Sequence, residues 1–184
     1  MPLVSQSFSW EHGVFLGAAL KSEATAAAEH KGKMIMHDPF SMRPFFGYNF
    51  GRYLEHWLSL GRGNNKRIMP QIFMVNWFRK SAKGDFLWPG FGENIRVIKW
   101  CLQRCDGEEG TAESSPIGWV PTPTSLDLTG LKEPLDMEAI FSTPSEFWRD
   151  EIAELRKYFA QQVGNSLPEE INHQLNQLES RFNQ

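Results

Sequence analysis

The chain has 184 residues, which is enough for one domain of ordinary size with a sizeable core. Its net charge of −3 offers no bulk attraction to nucleic acid or to an acidic membrane surface. The apolar runs are far shorter than the ~18 residues typical of a membrane-spanning helix, and the first residues lack the pattern of a signal peptide.

The first half of the chain alternates between short apolar runs and turn signals. Residues 14–20 are typical of a buried strand or a turn of a core helix. Residues 34–36 resemble a strand, which ends at the turn-forming residues 37–39. Apolar residues then recur at helical spacing over residues 48–60. The clearest strand is predicted at residues 72–78, where an unbroken bulky run suggests a strand covered on both faces.

The second half predicts three helices. The first begins near Asn94 and ends at residues 106–107; its apolar face is predicted from the helical spacing of Ile95, Ile98, Leu102 and Cys105. Residues 107–135 are rich in Gly, Pro, Ser and Thr, and we expect them to wrap over the surface.

The last two helices each begin with a capping-box pattern, at residues 143–146 and 166–169. Gly164 separates them, which predicts a helical hairpin. Strands interleaved with helices indicate the α/β class, and residues 1–184 are interpreted as a single domain segment without internal repeats.

Several kinds of site are disfavoured. No His-Glu-x-x-His pattern is present, and Cys101 and Cys105 lack partners at zinc-finger spacing, so both cysteines are interpreted as core residues in a reducing intracellular compartment. His37 beside Asp38 could form a general base and its orienting carboxylate, but no nucleophile motif accompanies them. The phosphate-binding pattern Gly-x-x-x-x-Gly-Lys-Ser/Thr is also missing.

Aromatic residues make up 13% of the chain, and a notable group lies between Trp77 and Asn94. Phe78, Phe86 and Phe91 come from separate predicted elements, so they could enclose a flat ring between them. Asn94 carries a donor and an acceptor side by side, which matches the O6 acceptor and N1–H donor of guanine. The alternative is that the rings fill the core and Asn94 caps a helix.

Three strings of residues point to a known family. Phe86-Leu-Trp-Pro-Gly-Phe-Gly-Glu-Asn94 resembles the guanine-binding loop of the GTP-dependent phosphoenolpyruvate carboxykinases. Residues 22–33 resemble the mobile active-site lid of that family. Further signature stretches are matched by residues 37–51 and 76–79. The resemblance runs from about Trp10 to the C-terminus and is weaker across residues 61–67 and 108–135.

The resemblance implies a fold and a site. The fold would be the C-terminal part of the carboxykinase nucleotide-binding domain, a mixed sheet with flanking helices and a C-terminal helical hairpin. The guanine slot would be lined by Phe78, Phe86 and Phe91, completed by Gly92, Glu93 and Asn94, with Trp77 beside it. The lid would consist of Ser22, Glu23, Ala24, Thr25, Ala26, Ala27, Ala28, Glu29, His30, Lys31, Gly32 and Lys33.

The resemblance also implies an activity. The family converts oxaloacetate and GTP to phosphoenolpyruvate, carbon dioxide and GDP in gluconeogenesis, with Mn²⁺ in the site and Mg²⁺ on the nucleotide. The family's phosphate loop, reactive cysteine, manganese ligands and oxaloacetate-binding arginine would all lie upstream of the matched segment. No catalytic or metal-binding residue is therefore expected in this chain, which should be inactive alone.

Two hypotheses remain open from the sequence. In the first, the chain is the guanine-binding and lid-bearing part of a carboxykinase that acts as a cytoplasmic monomer, with the mitochondrial matrix as the alternative location. In the second, it is a non-enzymatic, aromatic-rich module that binds a ligand or a protein partner. Neither hypothesis includes binding to nucleic acid or membranes.

Overall fold

The structure, a computed structural model, describes residues 1–23, 35–63 and 68–183. Its contacts divide the chain into two compact units. We call Met1–Phe8 with Gln71–Trp148 the sheet unit, and Ser9–Pro70 with Arg149–Gln184 the helical unit. Whether they belong to the single domain segment inferred above stays a prediction.

The sheet unit is built on a four-stranded sheet with the order β4-β1-β6-β5. Its strands are β1 (Val4–Gln6), β4 (Phe73–Val75), β5 (Ala112–Ser115) and β6 (Gly118–Pro121). The register places Val4 opposite Val75 and Gln6 opposite Trp119. The resemblance implied a mixed sheet, which contains both parallel and antiparallel strand pairs. All strand pairs in the described residues are antiparallel. The α/β class itself is confirmed.

Two expectations about these strands were wrong. The surface wrap predicted for residues 107–135 contains the hairpin β5–β6, and β6 lies inside the sheet beside β1. The strand predicted over residues 72–78 is shorter, and it lies at the sheet edge with Val75 exposed. The run of bulky residues therefore predicted a strand in the right place, but the strand is less buried than that run suggested.

Helix α3 (Asn94–Cys105) packs on this sheet and begins and ends where the sequence predicts. Its buried residues are Val97 and Trp100, which join a core cluster with β1 and the short helix α4 (Met137–Phe141). The apolar face was predicted wrongly, because Ile95, Ile98, Leu102 and Cys105 are exposed. Trp100 is completely buried, and its indole N–H donates to the Thr111 carbonyl at 2.7 Å.

The helical unit contains α1 (Trp10–Ala18), α2 (Phe50–Gly61), α6 (Glu169–Phe182) and all but the first turn of α5 (Ser145–Gln162). It also contains the strand pair β2 (Lys21–Glu23) and β3 (Ile35–His37). Helix α1 packs against both α2 and α6. Helix α2 comes so close to the turn at 164–166 that a Cβ on Gly51 would overlap the Ser166 carbonyl.

Helices α5 and α6 form the predicted C-terminal hairpin. Arg156 of α5 bonds to Asn176 and Glu179 of α6, and Arg149 donates to the Phe182 carbonyl, which is an antiparallel arrangement. The capping box predicted for α6 does not form, because Ser166 belongs to a 3-10 turn and the helix begins after Pro168 without a side-chain cap. Among the described residues, no helix is both long enough and apolar enough to cross a bilayer.

His12 in α1 should make the stability of the helical unit depend on pH. Burial, and secondly the charge of Arg181, lower its pKa to about 4. The unfolded chain binds a proton near pH 6.5, so the folded state loses stability as the pH falls from 6.5 toward 4. We expect a loss of about 2 kcal/mol between pH 7.5 and pH 5.0.

Urea unfolding followed by circular dichroism at both pH values measures this effect. The His12→Gln variant, which cannot gain the proton, should lose less stability over the same interval. Equal losses in the two proteins would show that His12 is not the source.

Candidate functional site

The segment from Trp88 to Asn94 forms a loop with a buried start and an exposed middle. Gly90 has φ 95° and ψ −150°, a backbone conformation that a glycine adopts without strain. A 3-10 turn over Phe91–Glu93 follows, with the Glu93 N–H donating to the Gly90 carbonyl at 2.9 Å. Asn94 then begins α3. The loop is therefore a turn that projects its central residues from the start of a helix.

A hydrogen bond closes the base of this loop. The indole N–H of Trp88 donates to Oδ1 of Asn94 at 2.8 Å, and the Trp88 side chain is only 2% exposed. The sequence-based alternative in which Asn94 caps α3 is wrong, because the cap position is Glu93 and no side chain caps this helix. The carboxamide of Asn94 thus has a fixed partner on one side.

Phe78 and Phe86 lie on a second turn of the sheet unit. A bridge between Lys80 and Phe86 and the bond from the Leu87 N–H to the Arg79 carbonyl hold its two arms together. The two phenylalanine rings meet edge to face, with centroids 6.1 Å apart. The Lys80 ammonium lies 4.9 Å from the centre of the Phe86 ring. Two of the three expected slot rings are therefore in contact.

All three predicted slot phenylalanines are exposed. Phe78 is 73% exposed, Phe86 58% and Phe91 97%. The alternative in which these rings fill the core is therefore wrong in this structure. Among the ring pairs of the described residues, none joins Phe91 to Phe78 or Phe86. The structure brings together the first two rings and leaves the third at the tip of its own loop.

The other predicted site residues occupy different positions. Trp77 is half-buried and packs against the core cluster of the sheet unit. Gly92 has open space where a side chain would be. The Glu93 carboxylate pairs with Arg96 Nε at 2.6 Å. The backbone of Gly92 is therefore on the open side of the loop, whereas Trp77 packs against the core cluster that also contains Trp88.

Three residues near the loop were missed by the sequence reasoning. Trp88 holds Asn94, and Lys80 faces the Phe86 ring. Arg96 bonds to Glu93 and also to the backbone carbonyls of Asp127 and Thr129, so it ties the start of α3 to the following segment. The spacing of Glu93 and Arg96 on a helix could have indicated their ion pair, but no local pattern identifies the contacts of Trp88 or Lys80.

Of the predicted lid, Ser22 and Glu23 belong to β2, and residues 24–33 lie outside the described residues. Strands β2 and β3 flank that segment and pair with Lys21 opposite His37. The Lys21 ammonium contacts Glu151 at 2.8 Å and Glu154 at 2.7 Å. Burial lowers the pKa of Lys21, but the hydrogen bonds and charges of the two glutamates together outweigh it, so the pKa is raised. The base of the segment is therefore fastened to α5 by the partly buried Lys21 and Glu151 and the exposed Glu154.

His37 and Asp38 do not form the pair considered from the sequence. His37 stacks on Tyr158 with ring centroids 3.9 Å apart and has Glu154 at 3.2 Å. The Asp38 carboxylate accepts from the Ser22 hydroxyl and the Arg43 N–H. Burial and the charge of Lys21 lower the pKa of His37. These contacts give both residues a structural role at the base of the β2–β3 pair.

The cysteines differ in their surroundings. Cys101 packs against the core cluster, where burial and then the nearby Cys105 raise its pKa to about 11. Cys105 is exposed, so its interpretation as a core residue was wrong. The raised pKa of Cys101 is the opposite of what a reactive cysteine requires.

Other features of the described residues offer no better site. No three His, Cys, Asp or Glu side chains among them converge to hold a metal ion. A shallow cavity of about 510 Å³ in the helical unit is lined by Glu11, Glu169, Glu170, His173 and Gln174. Its carboxylates would repel a phosphate-bearing ligand, whereas the exposed rings of the sheet unit suit a flat base.

Comparison with known proteins decides the family. The family model described as "Phosphoenolpyruvate carboxykinase C-terminal P-loop domain" matches residues 1–181. The chain belongs to this family. The matched residues include the aromatic loop at Trp88–Asn94 and the paired strands β2 and β3.

Individual relatives agree. The chain is 55% identical over 181 residues to mitochondrial phosphoenolpyruvate carboxykinase [GTP] of Mus musculus, covering 98% of this chain and 28% of that protein. It is 54% identical over 184 residues to the cytosolic enzyme of Gallus gallus, covering 100% and 29% respectively. The enzyme of Ascaris suum is 52% identical over 175 residues, covering 95% and 27%. The chain therefore spans less than a third of the length of these relatives.

Proposed function

We propose that this chain is the guanine-binding and lid-bearing part of a GTP-dependent phosphoenolpyruvate carboxykinase. The whole protein would convert oxaloacetate and GTP to phosphoenolpyruvate, carbon dioxide and GDP in gluconeogenesis. The relatives named above are carboxykinases whose names include GTP. The single observation that carries the proposal for this chain is that Phe78, Phe86 and Phe91 are all exposed, while the Asn94 side chain is held by its bond from Trp88.

The exposed rings support base binding on physical grounds. Leaving Phe78, Phe86 and Phe91 in water forfeits the free energy that burying each ring would give. A planar base that stacks on such rings recovers about 1–3 kcal/mol per stacked contact. The exposed pair formed by Phe78 and Phe86 is the kind of aromatic surface that is typical of a binding site.

Asn94 supports guanine as the base. Its Nδ2 donates and its Oδ1 accepts, so the carboxamide can meet the O6 acceptor and the N1–H donor of guanine together. Adenine presents the reverse order, with the N6 donor beside the N1 acceptor. Lys80, next to the Phe86 ring, adds a positive charge near which a nucleotide's phosphates could lie.

Residues 22–33 are proposed as the lid of the active site. The family match includes this segment, and the pairing of β2 with β3 places Glu23 opposite Ile35 on either side of it. Closing such a segment over bound substrates would exclude water and protect the reactive enolate from protonation. The ion pairs of Lys21 with Glu151 and Glu154 would keep the base fixed while the lid moves.

The remaining parts of the proposal concern the whole protein. Oxaloacetate, the phosphates of GTP, Mn²⁺ and the Mg²⁺ of the nucleotide would be held by residues upstream of the matched segment, so this chain would contribute no catalytic residue. The protein would act as a monomer without nucleic-acid or membrane partners. Relatives occur in both cytosolic and mitochondrial forms, and we propose the cytoplasm, with the mitochondrial matrix as the alternative.

Titration of the chain with GDP and ADP tests the proposal. GDP should quench the tryptophan fluorescence more strongly than ADP, because Trp77 and Trp88 adjoin the loop. The Asn94→Ala variant should lower the affinity for GDP about tenfold and the affinity for ADP much less. Asn172→Ala, which changes an exposed asparagine of α6, is the matched control and should leave both affinities unchanged.

The outcome separates this proposal from the second hypothesis. A folded chain that responds to neither nucleotide would favour a non-enzymatic module. A response to GDP and ADP of equal size, unchanged in Asn94→Ala, would remove the assignment of guanine while leaving an aromatic ligand site.

A further inference from the structure

The buried indole of Trp88 gives the loop a fixed reference point. Its side chain is almost fully buried in a cluster with Val97 and Trp100, so packing holds its position. The indole N–H can only donate a hydrogen bond. Its partner at 2.8 Å, the side chain of Asn94, must therefore present its oxygen to Trp88.

This bond decides which way the Asn94 carboxamide faces. Rotating the amide by half a turn would set Nδ2, another donor, against the indole N–H. The buried N–H would then lose its hydrogen bond, which native structures rarely tolerate. Among the described residues, none accepts a hydrogen bond from Asn94 Nδ2, so its donors remain available to a ligand.

The fixed orientation has different consequences for the two purines. Guanine's O6 can accept from Nδ2, and its N1–H can donate to the second lone pair of Oδ1 without disturbing Trp88. Adenine needs the carboxamide reversed, because its N6 donates and its N1 accepts. Pairing with adenine would therefore break the Trp88 bond, whereas pairing with guanine would keep it.

We propose that Trp88 is a positioning residue that sets base selectivity by locking the Asn94 carboxamide in the orientation that pairs with guanine. The inference rests on the proposed function, since it assumes that a purine meets Asn94. Beyond the proposed function, it identifies Trp88 as the residue that determines base specificity. Trp88 acts from within the core and does not touch the base.

Calorimetric titration of the whole chain with GDP and ADP provides the test. Trp88→Phe keeps an aromatic ring in the core but removes the N–H. The ratio of GDP affinity to ADP affinity should fall about tenfold, which corresponds to about 1.4 kcal/mol. If Trp88→Phe lowers the affinities for GDP and ADP equally, so that their ratio is unchanged, the inference is overturned.

Two matched variants identify the route. Trp100→Phe removes another buried indole N–H from the same cluster, and it should lower stability while leaving the ratio unchanged. In the Asn94→Ala background, adding Trp88→Phe should change the ratio no further, because Trp88 acts through Asn94. A further fall of the ratio in that double variant would contradict the inference.

A measurement without nucleotide separates this inference from the proposed function. In the free chain, NMR relaxation of the Asn94 side-chain amide should show a rigid group that becomes mobile in Trp88→Phe. If the amide responds in this way but the wild-type chain prefers neither nucleotide, the proposal of a guanine site fails, while the inference that Trp88 holds the Asn94 carboxamide is retained. If the amide is equally mobile in both proteins, Trp88 does not hold the Asn94 carboxamide, and the inference is refuted whichever nucleotide binds more tightly.

The wild-type chain gives a second reading if Trp88→Phe does not fold. Exchange of the Trp88 indole proton with solvent should stay slow with saturating GDP and become faster with saturating ADP. The same exchange rate with both bound nucleotides would contradict the inference.

Discussion

Replacing Trp100 with alanine should lower the free energy of unfolding of the sheet unit by about 3–5 kcal/mol. The side chain is completely buried in the core cluster and meets Phe73 edge to face, with ring centroids 5.9 Å apart. The substitution removes apolar contacts, leaves a cavity, and takes the indole donor from the Thr111 carbonyl, which then keeps the longer bond from the Thr122 N–H at 3.3 Å. Urea denaturation followed by circular dichroism measures the loss.

Two comparisons make this result specific. Trp100→Phe keeps most of the buried apolar area and should cost clearly less than Trp100→Ala. Leu102→Ala alters an exposed residue of the same helix and should change stability by no more than about 0.5 kcal/mol. A cost below about 1 kcal/mol for Trp100→Ala would mean that the core of the sheet unit does not depend on this ring.

Replacing Phe91 with alanine should weaken nucleotide binding without weakening the fold. The ring is almost wholly in solvent, so its removal should alter stability by less than about 0.5 kcal/mol. Loss of one stacked base should cost about 1–3 kcal/mol of binding, which is about 5- to 150-fold in affinity. GDP and ADP should be affected alike, since every base has a face that can stack.

Titration of Phe91→Ala with both nucleotides, together with its urea denaturation curve, gives these two quantities. Ile68→Ala is the matched control, because Ile68 is 99% exposed and lies outside the loop. That variant should keep full affinity. If Phe91→Ala binds GDP as tightly as the wild type does, the ring has no part in the site.

The sequence predicted the helices better than the strands. Helices α2, α3, α5 and α6 carry apolar residues at helical spacing over ten or more residues, and each was found within a few residues of its predicted bounds. The hairpin β5–β6 was missed because its strands are only four residues long and one is largely polar. Its place in the sheet depends on pairing with β1, which is distant in the sequence.

Helix α3 shows why a helical period does not identify the buried face. Apolar residues lie on two sides of this helix, with Val97 and Trp100 buried and Ile95, Ile98 and Leu102 exposed. The spacing of either set predicts the helix equally well. Which set is buried depends on where the sheet packs, and that information is not local.

The sequence predicted which residues form the candidate site, but not the contacts that hold those residues in place. The family strings indicated Phe78, Phe86, Phe91 and Asn94 together, although chemistry alone left open whether the rings were buried. The exposure of the rings and the bond from Trp88 to Asn94 depend on tertiary packing. Trp88 and Asn94 can both be read from the sequence, but the hydrogen bond between them cannot.

The most direct test of the guanine site is the NMR spectrum of the chain saturated with GDP. We expect nuclear Overhauser effects from the guanine H8 and the ribose H1′ protons to the ring protons of Phe78, Phe86 and Phe91, together with a shift of the Asn94 side-chain amide. Bound GDP whose base protons contact none of these residues would contradict the assignment of the guanine slot.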